Sequence, residues 1–332
     1  MDLVNRTPFA VVPLVFLHEG LETLLLVVKG TFTIERQLTR VADEQDPIVL
    51  ADEYGNEPHN SSLLHASDVT LLKPATDVLL RGYAYSTPRS RTEALIAFRI
   101  GTLKKGVRVF GDRVWERVLR MNRQSEPKPF VKMELTYERA FGGTDTSNPE
   151  HVERCEENPV GRGFRGRESR LPVDGAPLPN LEEPGKLLES PDQRPRPACF
   201  GPIPPSWKPR PLYAGTYDEA WKRDVFPFLP RDFDPRFYQC APPDQILPGY
   251  IQGGEPVVIA GASAQGQIQC ALPTMRPEVT IRMGERTEQP LLQCDTILLD
   301  ADRPAVTLVW RAQLSVQGLV PDVHRIEVSA RD

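Results

Sequence analysis

Two neighbouring segments carry the densest mix of side chains that could do chemistry. YERAFGG (137–143) and NPVGRGF (158–164) bring four glycines, two arginines and two phenylalanines close together. Glycine beside arginine suggests a backbone cradle for phosphate. Glycine beside phenylalanine suggests tight turns tucked against a core. A phosphate cradle needs a strand before the glycines and a helix after them, because the helix N-terminus supplies the anion-binding N–H groups. GRGFRG (161–166) follows Pro159 and leads into no helical periodicity, and the chain contains no GKS or GKT. Turns are the better reading: Pro159 fixes φ, while Gly161 and Gly163 permit conformations that other residues resist. Phe141 and Phe164 would anchor these turns to a sheet, with Gly142, Gly143 and Asn158 in the same signature. Arg162 could pair with an acid such as Glu138.

Glu134 and Glu138 lie an even number of residues apart on an expected strand, so they would share a face. With an acid such as Asp232 they could form a glycosidase-like pair. The structural alternatives are two solvated glutamates, or Glu138 paired with Arg139 or Arg162. Asp232, Asp234 and Asp244 could be drawn as an oxygen cage for a cation, but DFDPRF (232–237) reads better as an Asx-turn before proline. The five histidines (His18, His59, His65, His151, His324) form no HxH, HxxxH or HExxH pattern. GASAQG (261–266) is not a GxSxG elbow. The five cysteines (Cys155, Cys199, Cys240, Cys270, Cys294) are odd in number, far apart and without a CxxC pair. They read as reduced thiols buried as small hydrophobes in a reducing compartment. No catalytic residue, no cofactor and no metal site is expected.

The elements that would position these residues follow from composition and pattern. The chain has 332 residues, 40% hydrophobic content and a formal net charge of −5. That balance argues against non-specific nucleic-acid binding, which needs a basic surface. The N-terminus lacks a secretory pattern, and the longest apolar run, LETLLLVVKGTF (21–32), is too short to span a bilayer. A soluble, cytoplasmic protein with no membrane partner is expected.

Proline divides the chain. Of 34 prolines, 20 lie in 141–250, while average usage is only about 5%. Residues 1–140 read as a β region: TLLLVVKGTFTI (23–34), TDVLLRGYAYS (76–86), EALIAFRIG (93–101) and VKMELTYERAF (131–141) are rich in β-branched and aromatic residues. VRVFGDRVWE (107–116) reads as a hairpin turning at Gly111-Asp112. Residues 141–250 lack periodicity but keep too many aromatics for a disordered linker, so they read as an ordered, irregular, proline- and aromatic-rich layer. One helix is expected there, TYDEAWKRDVFP (216–227), with Thr216 as N-cap, Glu219 completing a capping box and Pro227 ending it. FGPIPPSWKPR (200–210) reads as an extended segment packed on the protein's own surface. Residues 251–332 return to β, with EPVVIAG (255–261), EVTIRMG (278–284), HRIEVSA (324–330), and a hairpin turning at DADRP (300–304). The fold class is mainly β: an antiparallel, sandwich-like core with little helix, the first and third regions packing as one unit.

The order of the motifs carries a resemblance that no single motif does. TDVLLRGYAY (76–85), VFGDRVWE (109–116), YERAFGGTD, NPVGRGF, LPNLEEP (178–184), FGPIPPSWKPR, GTYDEAW (215–221), LPRDFDPRF (229–237), APPDQ (241–245), GGEPV (253–257) and DADRPAVTLVWR (300–311) follow in series. This order, spanning about residues 10–320, resembles a bacterial family, long listed as a domain of unknown function, whose members are similar to adaptor chaperones of the type VI secretion system. The resemblance implies a non-enzymatic cytoplasmic protein that binds the PAAR-like region of a cognate effector, keeps it soluble and promotes its loading onto the trimeric spike. It transfers no catalytic residues. Exposed arginines and aromatics of the middle layer would then meet the client: Arg162, Arg165, Trp207, Arg210, Tyr217 and Trp221. For each, internal packing or pairing is the alternative, favoured for the tryptophans because they are usually highly buried. Two other functions stay open: a glycan-acting hydrolase using the paired carboxylates, and a structural β-sandwich component of the secretion particle.

Overall fold

The computed structural model describes residues 1–18, 20–86, 91–316 and 322–331, with His18 described by its backbone alone. Strands hold 43% of the described residues and helices 7%, so the chain forms the expected β-rich, sandwich-like class. Three larger sheets dominate. The seven-stranded sheet runs in the order Ile246–Leu247, Thr76–Arg81, Gln293–Asp300, Ala305–Ser315, Leu21–Glu35 and Ala10–His18, with Leu38–Val41 also pairing Leu21–Glu35. The five-stranded sheet orders Leu181–Glu182, Leu103–Phe110, Glu93–Ile100, Pro256–Ala260 and Ile268–Ala271. A four-stranded sheet holds Asp2–Asn5, Val323–Arg331, Arg276–Met283 and Arg286–Glu288. Pairing in these sheets is antiparallel except between Thr76–Arg81 and Gln293–Asp300 and between Asp2–Asn5 and Val323–Arg331.

The strand Leu21–Glu35 shows why the sheets stack. Its middle, from Thr23 to Phe32, is buried on both faces. Side chains alternate across a strand. Leu24, Leu26 and Val28 enter the main core, while Leu25 and Val27 face the other way and meet Val309, Val12, Phe16 and Ile48. Each such side chain contributes about 1.5–3 kcal/mol of burial. The main core also collects Ile96, Phe98 and Val107 from the five-stranded sheet and Val279 and Ile326 from the four-stranded one.

The middle segment is ordered and irregular. Phe200 and Trp207 are buried in the main core, with rings 5.8 Å from Phe98 and 5.5 Å from Tyr137. FGPIPPSWKPR is therefore packed on the protein itself, as expected. The hairpin at DADRP also forms, with Asp300 pairing Ala305.

Four local expectations change. The helix spans Glu219–Asp224, and its N-cap is Asp218, which accepts from the Trp221 backbone N–H. Thr216 instead donates to Asp232. Residues 131–141 are not one strand: Lys132–Glu134 is followed by a 3-10 turn at Tyr137–Arg139. TDVLLRGYAYS divides into Thr76–Arg81 and Tyr83–Tyr85, which join different sheets. Finally, Leu103–Phe110 and Trp115–Val118 do not form a hairpin. The first pairs Glu93–Ile100, and the second pairs Met121–Gln124. Gly111 serves close approach, since a Cβ there would collide with the Lys128 carbonyl. Among the described residues, no helix is long and apolar enough to cross a membrane.

Candidate functional site

The glycine-rich signature closes around one side chain. Asn158 is fully buried, and its Nδ2 donates to the carbonyls of Tyr137 at 2.8 Å and Phe141 at 3.0 Å. Its own carbonyl accepts the Gly143 N–H at 2.8 Å. Two residues of each segment then pair in parallel, Phe141 with Arg162 and Gly142 with Gly163. The glycines are required by this crossing: a Cβ on Gly142 would strike Asn158, and one on Gly161 would strike Asn158 and the Ala140 carbonyl. The turn reading of NPVGRGF is thus what the backbone shows. The segment's backbone donors at Asn158, Arg162 and Phe164 are spent within the protein, on the carbonyls of Cys155, Ala140 and Gly142, rather than converging on open space. Pro159 continues the loop, and its carbonyl accepts from Thr144 Oγ1.

This knot supports the neighbouring hairpin. Phe141 packs with Trp115, Leu178 and Leu188, and Phe164 lies against the same cluster with its ring 6.4 Å from that of Phe141. Trp115 opens the hairpin Trp115–Val118/Met121–Gln124, so the signature holds the hairpin's root. The root is fastened further by buried Arg113, which pairs with buried Glu182, donates to Gln124 Oε1 at 2.8 Å, and lies 3.9 Å over the Phe110 ring. Gln124 also donates to the Leu188 carbonyl.

The six expected client-facing residues fall into three places. Arg162 and Arg165 are half-buried at the knot. Arg162 donates Nε to the Glu138 carbonyl at 3.2 Å and pairs with Asp112 at 3.6 Å, so its carboxylate partner is Asp112 rather than Glu138. Arg165 donates to the carbonyls of Pro172 and Leu171. Trp207 and Arg210 are buried, and Arg210 donates to the carbonyls of Ile203 and Phe237. Tyr217 and Phe226 are exposed and flank the short helix Glu219–Asp224, which carries the half-buried Trp221. Tyr217 and Trp221 meet edge to face at 4.7 Å, and Trp221 and Phe226 at 5.6 Å. The indole N–H donates to the Phe228 carbonyl at 2.8 Å, which fixes the ring. Phe226 is 65% exposed and Leu212 67%.

The carboxylates considered for chemistry have separate structural partners. The Glu138 carboxylate accepts from Ser62 N and Oγ at 2.7 and 2.9 Å. Glu134 sits on a different element, so the two do not share a strand face. Asp232 accepts from Thr216, Asp234 closes an Asx-turn onto the Arg236 N–H, and Asp244 pairs with Lys105 at 2.9 Å. Among the described residues, no three His, Cys, Asp or Glu side chains cluster as metal ligands. Burial pushes the thiols of Cys199, Cys240 and Cys270 up to about 11, so these sulfurs are protonated at neutral pH.

Sequence patterns missed a buried ion network on the second face of the large sheet. Lys29 pairs with Asp68 at 2.8 Å, Lys73 with Asp77 at 2.7 Å, and Arg311 with Asp295, and all six groups are buried. Arg311 also donates to the Asp68 carbonyl, which ties the pairs together. A cavity of about 430 Å³ beside them is lined by Lys29, Asp68, Lys73 and Arg311, and by His65 and Arg81. The available signal was a charge inside an apolar run, Lys29 in LLLVVKGTF and Arg311 in VTLVWRAQ, because a buried charge demands a partner. The 115–124 hairpin was also missed, because its turn contains no glycine, asparagine or aspartate.

A family described as an uncharacterized protein conserved in bacteria (DUF2169) matches residues 19–311. No curated protein matches the chain, and no solved structure does.

Proposed function

The chain belongs to the bacterial DUF2169 family, and we propose that it acts there as a non-enzymatic cytoplasmic adaptor. In this reading it binds the PAAR-like region of a cognate type VI secretion effector, keeps it soluble and promotes its loading onto the trimeric spike. The order of sequence motifs supports the reading through the family resemblance. The observation that carries it is the aromatic cluster in which exposed Tyr217 and Phe226 pack on half-buried Trp221. Aromatic side chains offer large contact area at low entropy cost and are enriched at protein interfaces. Here the Asp218 cap and the indole hydrogen bond hold them in place before any partner arrives.

Co-expression with the effector encoded beside this chain tests the reading. The effector is expected to be soluble and to copurify only when the chain is present. Phe226→Ser is expected to lower copurification while leaving the melting temperature unchanged, because Phe226 is largely exposed. An effector that is equally soluble and equally loaded without the chain removes the adaptor role.

A further inference from the structure

The hairpin whose root the signature clamps ends in an unusual tip. Val118 pairs with Met121, leaving a two-residue turn of Leu119 and Arg120. Both central residues have positive φ, 49° and 70°. Asn and Gly favour such turns, whereas a bulky Leu or Arg in this region is strained. Leu119 is 89% exposed and Met121 70%. A second hairpin, at Arg36-Gln37, uses the same backbone with φ of 47° and 71°, but both of its turn residues are polar. An apolar side chain at the strained, exposed apex therefore belongs to the 115–124 hairpin rather than to the turn type.

Charge gives the surroundings of that apex a sign. Arg117, Arg120 and Arg123 face one acid, Glu116, within Trp115–Gln124. Arg123 is engaged with Glu116 at 3.0 Å. Among the described residues, the side chains of Arg117 and Arg120 form no ion pair, while the Arg117 backbone N–H donates to the Asp174 carboxylate at 2.8 Å. The tip is thus a basic, apolar finger on a chain whose formal net charge is −5. We infer that this finger is a docking element for an apolar pocket rimmed by carboxylates on the client effector's PAAR-like region. Its two unpaired arginines are complementary to such a rim. A protein pocket is favoured over an anionic membrane because of shape. Strained turn residues and a rigid root present one fixed geometry, which a pocket rewards and a fluid bilayer does not.

The inference rests on the adaptor reading, and its test separates the two. The double variant Leu119→Asn/Arg120→Gly installs the pair this turn prefers and removes the apolar apex. It is expected to melt at the same or a higher temperature than the unaltered chain, yet to bind the purified PAAR-like region of the neighbouring effector at least tenfold more weakly. Arg117→Glu is expected to weaken binding as well. Binding by the unaltered chain should fall between about 0.1 M and 1 M salt, as the screening length shrinks from about 10 to 3 Å. Should the double variant fail to fold, Met121→Ser carries the same test from a regular strand position. Equal effector binding by variant and unaltered chain overturns the finger and leaves the adaptor role standing. No effector binding by the unaltered chain removes both. Unchanged effector binding, with loss of binding to phosphatidylserine vesicles in the variant alone, assigns the finger to a membrane and overturns the protein pocket.

Discussion

Asn158 Nδ2 donates to the Phe141 carbonyl at 3.0 Å, bridging the two glycine-rich segments across a loop. The same nitrogen reaches the Tyr137 carbonyl at 2.8 Å, so one amide satisfies two buried acceptors. Replacing it by aspartate keeps the shape and removes both donors. The Phe141 carbonyl then loses its amide donor, at a cost of about 1–3 kcal/mol, while the Tyr137 carbonyl keeps the Ala140 N–H. Asn158→Asp is therefore expected to lower the urea midpoint with little change in slope. An unchanged midpoint would show that the crossing is held by its backbone pairs alone.

Gly161 and Gly201 make a matched pair of probes, since neither has positive φ. A Cβ at Gly161 meets the Asn158 amide and the Ala140 carbonyl, while a Cβ at Gly201 meets open space. Gly161→Ala is expected to destabilise by several kcal/mol or prevent folding, as overpacking against backbone does. Gly201→Ala is expected to be neutral or stabilising by up to about 1 kcal/mol, through a less flexible unfolded chain. Equal melting temperatures for the two variants would contradict the packing described here.

Lys73 supplies three buried hydrogen bonds or ion contacts, to Asp77, Thr296 and the Cys240 sulfur. Lys73→Met removes one charge of a balanced network and leaves Asp77 unpaired. Breaking a buried pair this way costs about 3–5 kcal/mol. Denaturant unfolding checks the value, and a loss below about 1 kcal/mol would mean that water reaches the pair.

Acid stability should depend on Asp46. Its partial burial alone would raise its pKa, but hydrogen bonds from Arg303 and Thr307 outweigh this and hold it at about 2. Arg303 donates to both carboxylate oxygens, at 2.8 and 2.7 Å. The folded value lies below the ordinary value of 3.8, so the folded state favours the ionised carboxylate. Its contribution is fully present above about pH 4 and is lost as pH falls toward about 2. Arg303→Gln is expected to flatten the melting-temperature profile across that window and leave its shape near neutrality unchanged. A parallel profile for variant and unaltered chain would assign the acid response to other groups.

Local chemistry wrote much of this protein into its sequence. The β-branched apolar run TLLLVVKGTFTI placed a strand buried on both faces, and alternation in EVTIRMG placed another, because side chains on a strand must take opposite faces. DADRP placed a hairpin, and DFDPRF an Asx-turn, because those residues bond their own backbone. Proline and aromatics together marked 141–250 as irregular yet packed. Tertiary structure decided what depends on partners distant in the chain. Gly111 fits a turn by its local sequence, but the approach of the Lys128 carbonyl is what requires glycine there. Thr216 and Asp218 both fit a helix cap, and the position of Asp232 drew Thr216 away. Glu138 had several arginines within reach in sequence, yet Ser62 occupies its carboxylate. The exposed apex at Leu119 carries no turn residue to announce it, because the buried Trp115 cluster and the Arg113–Glu182 pair hold the hairpin from its root. Spacing along the chain sets local geometry, but only the fold sets which distant groups share a buried volume, and therefore which charges pair and which side chains are left for a partner.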